Sequence, residues 1–119
     1  MRRQPKYNFF KNSSYALSGL VDIFKSETSF KIEVFLLVPV LFLIWYLDVD
    51  GLKKILLFCS YFTVLIAEAV NSAIERVVDL VTLEYHEMAK KAKDAGSAIV
   101  FLSISQAVAV WIYILVQNI

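Results

Sequence analysis

Glycine is scarce: Gly19, Gly51 and Gly96 are the only three in 119 residues. No Walker loop or glycine-rich kinase loop can be built from them, and neither an HRD nor a DFG element occurs. If phosphates are bound, side chains must hold them. Cysteine is scarcer still. Cys59 stands alone in an apolar run, so it forms no intrachain disulfide and packing is its simplest role. The opening MRRQPKYNFFKNSS has no apolar stretch leading to a small-residue cleavage site, so no signal peptide is expected. Repeats and low-complexity tracts are lacking too. Net charge is only +1, and no concentrated basic face is interleaved with aromatics, so nucleic acid is not an expected partner.

What the chain has in abundance is apolar surface: 59% of its residues are hydrophobic. A soluble domain of this size buries only part of its area and could not hide so much. A single integral-membrane domain is the simplest reading. A spanning helix needs about 20 mainly apolar residues. Residues 32–49 and 99–116 come close to that. The apolar run beginning at Ile55 is too short before it meets Glu68, so its helix must continue to Val81, a length of roughly 40 Å. Pro39 is expected at most to kink the first span. Trp45, Tyr46, Trp111 and Tyr113 read as interface anchors.

Residues 6–26 are neither long nor apolar enough to span. Phe9, Phe10, Ala16, Leu17, Leu20, Val21 and Phe24 recur there at helical spacing, the pattern of an amphipathic helix on the membrane surface. The expected fold is therefore all-α: one surface helix and three transmembrane helices. Arg2, Arg3, Lys6, Lys11, Lys25 and Lys31 precede the first span, and Lys90, Lys91 and Lys93 lie between the second and third. Lys53 and Lys54 are offset by Asp48 and Asp50. The positive-inside rule then puts the N-terminus and the second loop in the cytoplasm and the C-terminus outside.

Carboxylates at the end of an apolar helix are costly, and LIAEAVNSAIERVVD carries several. At about 100° per residue, Glu68, Asn71, Glu75 and Asp79 fall within a sector of roughly 80° and form one stripe. The stripe could be a functional site or a hydrogen-bonded network joining helices. For Asp79 the structural alternative is an ion pair with Arg76. Glu27 and Glu33 flank the junction of the surface helix and the first span, and the loop TLEYHEMAKKAKDAGSA adds Glu84, His86, Glu87, Lys93 and Asp94. Taken singly, His86 is an ordinary solvated histidine and the lysines are ordinary topology signals. Taken together, the set has the parts of phosphoryl transfer: carboxylates for a divalent cation, a cation for phosphate and a group to handle the nucleophile.

EAVNSAIERVVD, followed by EYHEMAKKAKDAGSAIV, resembles the small integral-membrane diacylglycerol kinases of Gram-negative bacteria, and the resemblance runs over residues 11–116. WYLDVD and EYHE favour that branch over the undecaprenol kinases, which share the core motif. The resemblance implies a homotrimer in the bacterial inner membrane that transfers the γ-phosphate of ATP to diacylglycerol, giving phosphatidic acid, with Mg²⁺. By position, Glu68 resembles the general base, and Glu27 and Glu75 the Mg²⁺ ligands. Asn8, Tyr15, Glu84, Tyr85, His86, Lys93 and Asp94 match nucleotide-contacting positions, together with Glu27 and Glu75. Lipid contacts are implied for Asn12, Ser13, Ser14, Ala16 and Leu17 on the surface helix, for Ser29, Phe30, Lys31, Ile32 and Glu33, and for Glu68 and Ser97. Asn71 and Asp79 take supporting places.

The surface helix departs from the family in two places. An Arg common near Asn8 is absent, so its contact is expected to be weakened or moved to Lys6 or Lys11. Ala16 replaces a small hydroxyl residue, with Ser13 and Ser14 nearby. The rival readings are an undecaprenol kinase, a small proton-coupled transporter using Glu68 as its relay, and a structural subunit. A transporter would have no need of Glu27, Glu75, Lys93 and Asp94 at the cytoplasmic edge.

Overall fold

The computed structural model describes residue 6 and residues 8–119. Arg2, Arg3 and Tyr7, which entered the charge count and the expected helix over residues 6–26, lie outside the described residues. Four helices follow in order: α1 Phe9–Ser26, α2 Thr28–Tyr46, α3 Gly51–Val81 and α4 Glu87–Gln117. The described residues contain no strand.

Each boundary has a local cause. Asn8 is extended, and its side chain accepts from Phe10 N at 3.0 Å and Lys11 N at 3.2 Å, so α1 starts at Phe9 rather than residue 6. Glu27 alone separates α1 from α2. Its backbone is extended (φ −108°, ψ 111°), and it serves as C-cap of one helix and N-cap of the next. The first span therefore begins at Thr28, a turn before residue 32, and ends at Tyr46 rather than residue 49. It runs through Pro39 without interruption. Asp50 accepts from Lys53 N at 2.9 Å and starts α3 at Gly51, four residues earlier than expected. At 31 residues α3 is about 46 Å long.

The largest difference lies after α3. Residues 82–98 were expected to be a cytoplasmic loop, yet α4 already begins at Glu87. His86 starts it by accepting from Met88 N on Nδ1 at 3.0 Å. The stretch after it is rich in Ala, Lys, Glu and Met, all good helix formers. Only residues 82–86 remain as connection, and so short a turn makes α3 and α4 an antiparallel hairpin.

Three helices, α2, α3 and α4, are long and apolar enough to cross a membrane. Hydrocarbon gives no hydrophobic drive for them to associate, so close packing must serve. Small residues are prominent among the buried positions, with Ser60, Ala67 and Ser72 on α3 and Gly96 and Ser103 on α4 beside the larger Leu57, Val64, Leu65 and Ile114. Ser60 and Ser103 satisfy their hydroxyls on the carbonyls of Leu57 and Val100, one turn back in their own helices. At the far end of the bundle Ile44, Leu57 and Ile114 join α2, α3 and α4, and Leu57 is wholly buried. Trp111 packs against this cluster, whereas Trp45, Tyr46 and Tyr113 are exposed. None of α1's residues is buried, and its Phe9, Phe10, Leu17, Leu20 and Val21 are exposed. An amphipathic helix with its apolar side chains open is suited to lie on lipid.

Candidate active site

The single-residue break at Glu27 brings its carboxylate against α3. Ser72, 3% exposed, donates from Oγ to Glu27 Oε1 at 2.9 Å. One turn further along α3, the Arg76 guanidinium reaches α1 with both terminal nitrogens: Nη1 to the Asp22 carboxylate, and Nη2 to Ser26 Oγ at 2.7 Å.

Deeper along the same side of α3, Glu33 and Glu68 are neighbouring carboxyl groups. Glu68 also lies within electrostatic reach of Glu27 and Glu75. Tyr61 donates its hydroxyl to the Glu33 carbonyl at 2.5 Å, which pins the start of α2 to α3. Asn71 Nδ2 donates to Glu75 Oε1 at 3.3 Å. The other end of that amide, Oδ1, is buried without a hydrogen-bond partner, as is Glu33 Oε2. Asn71 Oδ1 rests against Gly96, where a Cβ would collide with it. Glycine at this position is therefore what lets α4 approach the polar stripe.

Glu27, Glu33, Glu68 and Glu75 thus gather around the junction of α1, α2 and α3, with Asn71 beside them on the side toward α4. Among the described residues no three His, Cys, Asp or Glu side chains converge on one point as a metal cage. Glu27 and Glu75 are each engaged by a neutral donor at Oε1 only. A pair of this kind fits an ion such as Mg²⁺, which is commonly bound by one or two carboxylates plus substrate phosphates.

The second cluster surrounds the α3–α4 turn. Thr82, Glu84, Tyr85, His86, Lys90, Lys93 and Asp94 line a cleft of about 390 Å³. Lys93 Nζ pairs with Asp79 Oδ1 at 2.7 Å across the hairpin, and Lys90 Nζ with Asp94 Oδ2 at 2.6 Å. The Asp79–Arg76 pair, the structural alternative for Asp79, is not formed: Asp79 takes Lys93, and Arg76 turns to α1. His86, read alone as solvated, is a helix cap.

The α1 positions lie apart from that cleft; among the described residues none of them lines it. Asn8 caps α1, while Asn12, Tyr15 and Ala16 are exposed. Ser13, Ser14 and Leu17 share a shallow hollow with Asp22 and Lys25. Phe30 is buried and, with Leu20, Phe24, Leu37, Phe62 and Leu65, lines an apolar groove of about 770 Å³ between α1, α2 and α3. Lys31 Nζ stands 5.7 Å from the centre of the Phe24 ring. Ser29 and Ile32 are exposed at the start of α2, and Ser97 is exposed next to Gly96 on α4. Sequence reasoning missed Asp22, Ser26, Tyr61 and Ser72. Only Ser72 carried a signal, as the hydroxyl following Asn71 within the motif.

The chain matches the family model described as Prokaryotic diacylglycerol kinase over residues 14–115. A diacylglycerol kinase of Escherichia coli K12 is 42% identical over 106 residues, covering 88% of this chain and 86% of the relative. One from Haemophilus influenzae is 38% identical over 104 residues, covering 87% and 88%. One from Pseudomonas aeruginosa is 40% identical over 106 residues, covering 87% and 84%.

Proposed function

Because the chain belongs to the prokaryotic diacylglycerol kinase family, we propose that it transfers the γ-phosphate of ATP to the free hydroxyl of diacylglycerol, giving phosphatidic acid and ADP. The observation that carries this reading is the gathering of Glu27, Glu33, Glu68 and Glu75 around the α1–α2–α3 junction, with Asn71 beside them. In it Glu68 takes the proton of the lipid hydroxyl as that oxygen forms its bond to phosphorus and the bond to ADP breaks. Glu33 sits against Glu68 and orients it. Glu27 and Glu75 would hold Mg²⁺, which when bound neutralises phosphate charge. Asn71 holds Glu75 in place through its amide. Lys93 supplies positive charge for the phosphates, with Glu84, Tyr85, His86 and Asp94 around it.

The proposal includes one integral-membrane domain in the bacterial inner membrane, with the N-terminus cytoplasmic and the C-terminus periplasmic. Lipid enters along the apolar groove by Phe30, and Mg·ATP arrives from the cytoplasm. It also includes a homotrimer. What supports assembly is Gln106, exposed within the apolar run of α4, where a polar side chain in hydrocarbon calls for a partner on another helix. The test is purified protein in micelles with ATP, Mg²⁺ and either diacylglycerol or undecaprenol, read as lipid phosphate. Phosphatidic acid is the expected product. Preference for undecaprenol, or no lipid phosphate at all, overturns the reading.

A further inference from the structure

No residue of α1 is buried; its apolar hold is limited to edge contacts such as the Phe24 ring against Phe35, 5.8 Å between centres, and the single extended residue Glu27 joins it to α2. Such a joint would let α1 swing. Two polar ties to α3 oppose that motion. Ser72 holds Glu27 itself, and one turn away Arg76 grips the last turns of α1. The grip is a fork: one guanidinium nitrogen on the Asp22 carboxylate, the other on Ser26 Oγ. Ser26 Oγ in turn donates to the backbone carbonyl of Asp22 at 2.8 Å, one turn back in α1. A planar guanidinium suits this two-point hold; a lysine would supply one point. Arg76 follows Glu75 in the chain and Ser26 precedes Glu27. The fork therefore ties the immediate neighbours of the two carboxylates assigned to Mg²⁺.

We infer that Arg76, Asp22 and Ser26 form a clamp that sets the position of Glu27 relative to Glu75, and so the affinity for Mg·ATP. They are positioning residues and touch no reacting atom. The inference rests on the reading of Glu27 and Glu75 as metal-holding groups, but the clamp itself can be observed without catalysis.

The experiment uses the full chain with Cys59→Ser and Ser18→Cys, a spin label being attached at position 18 on α1. Arg76→Ala should make the label more mobile. It should raise the apparent KM for Mg·ATP about two- to fivefold, the weight of a partly exposed ion pair. The KM for diacylglycerol and the kcat at saturating Mg·ATP should stay near wild type. Arg76→Lys should recover part of both effects. The exchange of charges, Asp22→Arg with Arg76→Asp, should restore label mobility and KM together. Unchanged mobility and unchanged KM in Arg76→Ala would overturn the clamp. So would a charge exchange that restores mobility but leaves the KM raised, because Arg76 would then be meeting the nucleotide directly. If the unmutated protein phosphorylates no diacylglycerol, the functional reading fails, while the label still reports on the clamp.

Discussion

Glu68 and Glu75 stand two turns apart on α3, roughly 10 Å along its axis, and should fail in different ways when neutralised. On the proposed assignment Glu75→Gln would weaken a metal-holding carboxylate, so excess Mg²⁺ should recover part of the lost activity. Glu68→Gln keeps the shape but cannot take a proton. It should lose about 10²–10⁴-fold in kcat, with no rescue at any Mg²⁺ concentration. Near-normal turnover of correctly assembled Glu68→Gln would return Glu68 to a purely structural place. At this scale the stripe was legible because α-helical spacing alone puts Glu68, Asn71, Glu75 and Asp79 on one side. Their partners were not. Arg76 is three residues from Asp79, yet it pairs with Asp22, 54 residues away. Sequence spacing ranks near neighbours and says nothing of which helix docks alongside.

Among the elements, α4 departs furthest from expectation. A search for membrane-crossing runs finds where a helix becomes apolar, not where it begins. The helix over Glu87–Gln117 starts twelve residues before its apolar part at residue 99. Those extra turns give Lys93 a fixed position opposite Asp79 in place of a loop site. In the proposed reaction phosphate would compete with Asp79 for that ammonium. Lys93→Ala should raise the apparent KM for ATP about tenfold, the effect of losing a charge-assisted contact, and leave the KM for lipid nearly unchanged. Steady-state kinetics with each substrate varied in turn would show this, and unchanged ATP kinetics would remove Lys93 from the site. The capping residues Asn8, Asp50 and His86 were all visible in the sequence, but each was read for charge or chemistry before it was read for its cap.

For the molecule as a whole, composition carried most of the architecture. A chain this apolar, with three long hydrophobic runs, has few alternatives to a helical membrane protein. The proposed orientation predicts that a reporter fused after Ile119 is active only outside the cytoplasm. A cysteine at Leu83, in the α3–α4 turn, should be labelled only from the cytoplasmic side when Cys59 is replaced by serine. A cytoplasmic C-terminus would contradict three crossings from a cytoplasmic start. The proposed trimer rested on the resemblance alone, and Gln106, exposed within the apolar run of α4, was not singled out in the sequence.

The short turn between α2 and α3 also makes α3 a ruler. Lys54 Nζ binds the Trp45 carbonyl at 3.1 Å, Asp50 caps α3, and the Ile44–Leu57–Ile114 cluster lies just beneath. Those contacts hold that end together, and in the proposed orientation it lies at the outer surface. Measured from Gly51, Glu68 lies roughly 26 Å along the helix and Glu75 roughly 36 Å, on either side of a hydrocarbon thickness of about 30 Å. The membrane itself then decides which carboxyl is dry and which is wet. Short-chain lipids would bring water up to Glu68, and long-chain lipids would draw Glu75 away from its aqueous substrate. Reconstituted in phosphatidylcholines of increasing chain length, the protein should show a maximum of activity, with losses on its two sides that differ in kind. Turnover should fall on the thin side and affinity for Mg·ATP on the thick side.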